Sequence, residues 1–95
     1  MDDWGALENY LDADHCLTQL PSGKGRRRYR ELALLYLISK FEYKRDYSEG
    51  EVNALIMQWH TFSDPVTLRR ELFNAKLLGR KRDGSHYWRI QYDID

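Results

Sequence analysis

The hydrophobic pattern changes period as the chain runs from Tyr47 to Trp88. Val52, Leu55, Ile56 and Trp59 recur at i, i+3, i+4 and i+7, one face of a helix. They follow Ser48-Glu49-Gly50-Glu51, in which the Ser48 hydroxyl can accept from the Glu51 amide while the Glu51 carboxylate accepts from the Ser48 amide. That capping box predicts a helix over residues 49–59. After a turn at His60–Ser63, Asp64 can cap and Pro65 occupies the first helical position, where a missing N–H costs nothing. The helix predicted over 65–76 turns Leu68, Leu72 and either Ala75 or Phe73 inward. It turns Thr67, Arg70, Glu71 and Asn74 outward, with Arg69 near the boundary. Beyond Leu77 the segments 77–82 and 86–90 flank Asp83-Gly84-Ser85, a tight-turn signal, and predict an antiparallel hairpin over 77–91. Tyr87 and Trp88 must face opposite sides of it, so one of them is core.

Upstream, Leu32, Leu35, Tyr36 and Ser39 mark one face of a helix over 27–41, and Leu34, Leu37 and Ile38 widen that face until little of the helix is polar. Such a helix is central. Trp4, Leu7, Tyr10 and Leu11 predict a short first helix over 4–12, ended by the breaker-rich Leu20-Pro21-Ser22-Gly23-Lys24-Gly25. An isolated helix so short is marginal in water, so this one packs on the domain or on a second copy. Three helices and then a two-stranded ribbon define a winged helix, a variant of helix-turn-helix. The expected fold is therefore α+β, mainly helical, with an extra N-terminal helix. The 95 residues suffice for one domain, with 1–16 as helical extension and 26–91 as core.

Formal net charge is zero, from 15 basic and 15 acidic residues, but the charges are segregated. Residues 1–15 hold five acids and no Lys or Arg, and residues 24–30 hold five bases and no acid. From Asp64 to Gln91, seven bases face three acids, so the third helix and the hairpin are locally basic. The single cysteine, Cys16, cannot form an intramolecular bridge and suits a reducing compartment, the cytoplasm. No apolar run approaches a membrane span.

In a DNA-binding winged helix the third helix enters the major groove. Thr67, Arg70 and Asn74 are then the candidate base or phosphate contacts, and Arg80, Lys81, Arg82 and Arg89 the candidate backbone contacts of the wing. The hairpin cations have a second reading, since edge strands carry Lys and Arg to prevent aggregation. Ser48, Glu49, Glu51, Asp64 and Arg69 are assigned structural roles, with Arg69 pairing to Glu49 or Glu51 of the preceding helix. The Arg26-Arg27-Arg28-Tyr29-Arg30 run sits at a positive helix terminus, so something must offset it: phosphate, or the acids of residues 2–14. His15, Cys16, His60 and His86 lack the spacing of a zinc site or thiol enzyme, and Gly23-Lys24-Gly25 lacks that of a phosphate loop. Neither a metal, a cofactor nor an enzymatic activity is expected.

Leu20-Pro21, Arg26-Arg27-Arg28, Phe41-Glu42, Tyr47-Ser48-Glu49-Gly50-Glu51-Val52-Asn53, His60, Asp64, Leu68-Arg69-Arg70-Glu71-Leu72, Leu78-Gly79-Arg80, Gly84 and Tyr87-Trp88 together resemble an uncharacterised bacterial family, domain of unknown function 2087, over roughly residues 17–90. The resemblance implies association with transcriptional regulators and carries no catalytic residue. Double-stranded DNA is thus the leading partner class. The alternative is a protein-interaction or sensor module without DNA binding, including a homodimer, because a winged helix alone does not determine function.

Overall fold

The first long helix, α1 (Arg27–Ile38), buries Ala33, Leu34, Tyr36, Leu37 and Ile38 in a computed structural model that describes residues 4–92. Its apolar stripe runs through Leu34, Leu37, Ile38 and Phe41, so Leu35, expected on the inner face, stays 45% exposed. The helix also ends three residues short of the expected 41, because Lys40 and Phe41 donate to the Leu37 and Ile38 carbonyls, an i to i−3 tightening of the last turn.

A turn through Lys44 leads to a two-residue strand, β1 (Asp46–Tyr47), too short to leave a periodic trace in the sequence. Then comes α2 (Glu49–Met57), opened by the expected capping box: the Glu51 amide donates to Ser48 Oγ at 3.1 Å and the Ser48 amide to Glu51 Oε1 at 2.8 Å. Hydrogen bonding from Ser48, its amide first and its side chain second, holds the Glu51 carboxyl below its usual range. α3 (Pro65–Asn74) is capped by Asp64, whose Oδ1 accepts from the Thr67 amide at 3.2 Å.

Between α2 and α3, His60 is buried. Its Nδ1 lies 2.8 Å from the Ile56 carbonyl and its Nε2 accepts from the Asp64 amide at 2.9 Å. An amide can only donate and a carbonyl only accept, so the ring is the neutral Nδ1–H tautomer. Its face meets Phe62 edge-on at 4.7 Å.

α3 stops at Asn74 because Lys76 takes a left-handed φ of 63°, with its amide donating to Phe73 and the Leu77 amide to Leu72. This is a Schellman closure built on lysine instead of glycine. It leaves Ala75 and Phe73 exposed, contrary to the expectation that one of them turns inward; Leu77 and Leu78 take the next inward positions. β2 (Leu78–Arg80) and β3 (Tyr87–Arg89) follow at once, joined by a turn in which Gly84 has φ 76°. The antiparallel sheet has the order β1-β3-β2, so β1 adds a third strand to the expected hairpin. Tyr87 is the core member of the aromatic pair. Trp88 lies on the other face against Gly79, where any Cβ would come within 2.4 Å of the indole.

The N-terminal helix is a 3₁₀ helix, Gly5–Tyr10, and folds back on its own domain. Leu7 is fully buried and Trp4 meets Tyr36 edge-on at 5.1 Å. Leu17 then bridges to the α2–α3 turn, its amide donating to Trp59 at 2.8 Å and its carbonyl accepting from Thr61 at 2.9 Å. Residues 1–3, with Asp2 and Asp3 of the acidic segment, lie outside the described residues. Three α-helices, a β2–β3 ribbon and one extra N-terminal helix form a winged-helix-like α+β arrangement. Among the described residues no helix is long and apolar enough to cross a membrane.

Replacing His60 by alanine orphans the Asp64 amide at the start of α3. His60→Ala is expected to cost about 1–3 kcal/mol in urea unfolding, the penalty of one buried unsatisfied group plus lost packing. An unchanged midpoint would show that the imidazole does not fix this turn.

Candidate nucleic-acid interface

The outward face of α3 carries Thr67, Arg70 and Asn74 at i, i+3 and i+7. Thr67 is half-buried in the first turn, its amide spent on Asp64. Arg70 is exposed and belongs to none of the ion pairs formed among the described residues. Asn74 ends the helix on the side of α1, beside Arg27, Arg30 and Glu71. Glu71 does not neutralise Arg70, because its carboxylate is taken by Arg30 of α1 at 2.7 Å.

Arg69, one residue earlier, turns the other way. Its Nη1 donates to Asn53 Oδ1 at 2.6 Å and its Nη2 lies 3.6 Å from Glu49 Oε1, both on α2. Tyr87 of β3 donates its hydroxyl to the same Glu49 oxygen at 3.3 Å and offers its ring to the Arg69 guanidinium at 5.9 Å. The side chain is 16% exposed and ties α2, α3 and the sheet together. Glu49 is the partner, not Glu51, whose carboxylate is occupied by the capping box. Asn53, one turn after Glu49, shares its face through the i+4 spacing, and its side chain makes a helix-helix hydrogen bond, the kind of role its residue type suggests beside Glu49.

The hairpin brings three of its four cations to the α3 side or the turn. Arg80 lays its guanidinium over the Phe73 ring at 4.6 Å, and Phe73 lies one helical turn from Arg70. Phe73 thus has one arginine from the helix at i−3 and one from β2. Lys81 and Arg82 are exposed at the turn and form no ion pair among the described residues. Asp83 is turned to the loop itself, accepting from the Ser85 amide at 2.8 Å; hydrogen bonds from Ser85 hold its carboxyl below the usual range.

Arg89 does not join them. Its Nη1 donates to the Phe41 carbonyl at 3.1 Å and its guanidinium sits 3.9 Å from the centre of the Tyr43 ring. It is anchored to the segment after α1, so the grouping of Arg89 with the wing cations is corrected: as a residue of the central strand it points to that segment, away from the turn. The Arg26–Arg30 run also differs from expectation. Among the described residues Arg27 pairs with Glu31 at 3.2 Å and Arg30 with Glu71, while Glu8, Asp12 and Asp14 form no ion pair with any of the four arginines of the run.

A family model described as an uncharacterized protein conserved in bacteria (DUF2087) matches residues 16–89. The chain belongs to this family. No curated protein and no solved structure matches it. The DUF2087 region holds α1 to α3 and the whole sheet, whereas the 3₁₀ helix precedes it.

His60, His86 and the cysteine of this DUF2087 chain are separately engaged. His60 serves the α2–α3 turn and His86 lies 3.1 Å from the Ser85 hydroxyl. Cys16 Sγ donates to the Gln58 carbonyl at 3.2 Å. Burial first, then the Asp12 and Asp14 carboxylates, pushes the Cys16 thiol up and away from a reactive thiolate. Among the described residues no group of three or more His, Cys, Asp or Glu could hold a metal ion.

The two neighbouring arginines separate folding from surface. Arg69→Ala is expected to lower stability by about 1–3 kcal/mol, because Asn53 and Glu49 lose their shared donor, whereas Arg70→Ala stays within about 0.5 kcal/mol. Thermal melts of the two variants check this; equal losses would contradict it.

Proposed function

We propose that this chain is a winged-helix transcription-regulatory module that binds double-stranded DNA, with α3 at the major groove and the β2–β3 wing along the phosphate backbone. One observation carries the reading. Arg80 of the wing stacks on the Phe73 ring of α3 at 4.6 Å, Arg70 lies one helical turn before Phe73 on that helix, and neither arginine has a carboxylate partner among the described residues. Cations left without acids on adjoining elements gain most from phosphate, which a duplex presents at close, regular spacing. Lys81 and Arg82 extend the unpaired charge to the wing turn.

The zero net charge is compatible with this role because binding depends on the field at the face, not on the sum. Arg70 supplies the fork that a guanine edge or a phosphate accepts, Asn74 an amide for adenine or backbone, and Thr67 a hydroxyl at the helix start. Arg80, Lys81 and Arg82 add affinity without sequence information. Arg89 and Arg69 hold the wing and the helix in place.

A protein partner is the second reading, favoured by Val66 at 46% and Phe73 at 36% exposure on α3. Two apolar side chains beside arginine suit a protein interface as well as a thymine methyl.

Double-stranded DNA should bind with a log affinity that falls against log salt by about 0.9 per phosphate contact, and Arg82→Ala should make the slope shallower by about one contact. Arg70→Ala should cost roughly 1–3 kcal/mol on a preferred site and much less on random duplex if it reads a base. No binding to any duplex at low salt, with the variants folded, would transfer the assignment to a protein partner.

A further inference from the structure

An open cleft of about 540 Å³ lies between the N-terminal segment and the C-terminal end of α1. Its walls are aromatic: Trp4 meets Tyr36 edge-on at 5.1 Å and Tyr36 meets Trp59 edge-on at 6.4 Å. Lys40 stands in it with its ammonium 4.0 Å from the Trp59 ring centre and 4.4 Å from that of Tyr36. Half-buried, it has no ion-pair partner among the described residues, and burial lowers its pKa from the ordinary value. Two ring faces stabilise the cation but accept none of its N–H bonds as an oxygen would.

This arrangement selects among ligand charges. A quaternary ammonium or a methylated lysine, the usual guest of an aromatic cage, would meet a cation already in place. A carboxylate would supply the missing acceptor, in a partly desolvated setting where a charge-assisted hydrogen bond is strong. The rim adds a second constraint, since Glu8 and Asp12 line the same cleft. Asp12 spends Oδ1 on the Asp14 and Cys16 amides, each at 2.9 Å, which leaves Oδ2 for a ligand. Two carboxylates at the rim disfavour a phosphate dianion and accept an ammonium.

We propose that the cleft binds a free amino acid with an apolar or aromatic side chain: carboxylate on Lys40, ammonium on Glu8 and Asp12, side chain among Trp4, Tyr36 and Trp59. The volume falls in the ordinary range for small-molecule sites. Trp4, Glu8 and Asp12 precede the segment matched by the family, so the N-terminal extension supplies one wall of the site. The proposal stands apart from DNA binding and neither requires nor excludes it.

The test titrates the full chain with L-phenylalanine, phenethylamine and 3-phenylpropionate by calorimetry, with tryptophan fluorescence as a second readout because two of the three tryptophans line the cleft. Phenylalanine should bind at least about tenfold tighter than either analogue, since each lacks one charged partner. Lys40→Met keeps the aliphatic stem and should weaken phenylalanine about tenfold, with Lys40→Arg restoring much of the loss. Glu8 is exposed, so Glu8→Gln leaves folding intact and should weaken phenylalanine while strengthening 3-phenylpropionate. No phenylalanine binding at about 10 mM would overturn the proposal. So would equal affinity for an analogue, or indifference to Lys40→Met and Glu8→Gln.

Discussion

One imidazole holds the turn on which the geometry of this domain rests. His60 joins the last turn of α2 to the N-cap residue of α3 by donating to the Ile56 carbonyl and accepting from the Asp64 amide. The ring is buried, and only one tautomer satisfies both bonds. Around it, Leu17 closes the opposite side of the turn with two backbone hydrogen bonds, so the segment before α1 is locked to the same point. Arg69 then crosses from α3 to Asn53 and Glu49 of α2 and brings Tyr87 of the sheet into the same cluster. Three elements thus take their relative positions from one buried imidazole and a cluster of polar contacts at the edge of an otherwise apolar core.

With α3 held in this way, its free face is determined by subtraction. Leu68 and Leu72 go to the core, Arg69 to α2 and Glu71 to Arg30 of α1, leaving Thr67, Arg70, Phe73 and Asn74 outward. The Schellman closure at Lys76 allows β2 to begin within four residues of the helix end, so the wing cannot swing far from α3. Arg80 stacking on Phe73 is the consequence.

What the sequence discloses and what it hides follow the range of the interactions. The capping box at Ser48, the Asp64-Pro65 start and the Gly84 turn are made between near neighbours, and all three stand in the structure. A pairing of Arg69 with Glu49 or Glu51 was legible because helical phase put Arg69 at the α2 boundary, but the choice of Glu49 needed the capping box to occupy Glu51. The strand Asp46–Tyr47 was not, because its two residues exist as strand only through β3, some forty residues later. The inward stripe of α1 passes by Leu35 for the same reason: which face of a nearly all-apolar helix is covered depends on what packs there. His60 looked like a turn residue, and nothing local announces that both ring nitrogens find backbone partners. Arg89 shared its charge with the wing, but its direction is set by the Phe41 carbonyl and Tyr43, far away in sequence. The Lys40 cleft needs the N-terminal segment folded back over α1, which no periodicity encodes.

Under the proposed DNA-binding role the joined surface of α3 and the wing, and not the rest of the molecule, meets the duplex. Amide-resolved NMR spectra recorded while double-stranded DNA is added at low salt test it most directly. Shifts should concentrate at Thr67, Arg70, Phe73 and Asn74 and along Arg80–Arg82, with Arg89 and the N-terminal 3₁₀ helix unmoved. Shifts confined to the N-terminal segment or the Arg26–Arg28 run, or none at saturating duplex, would contradict it.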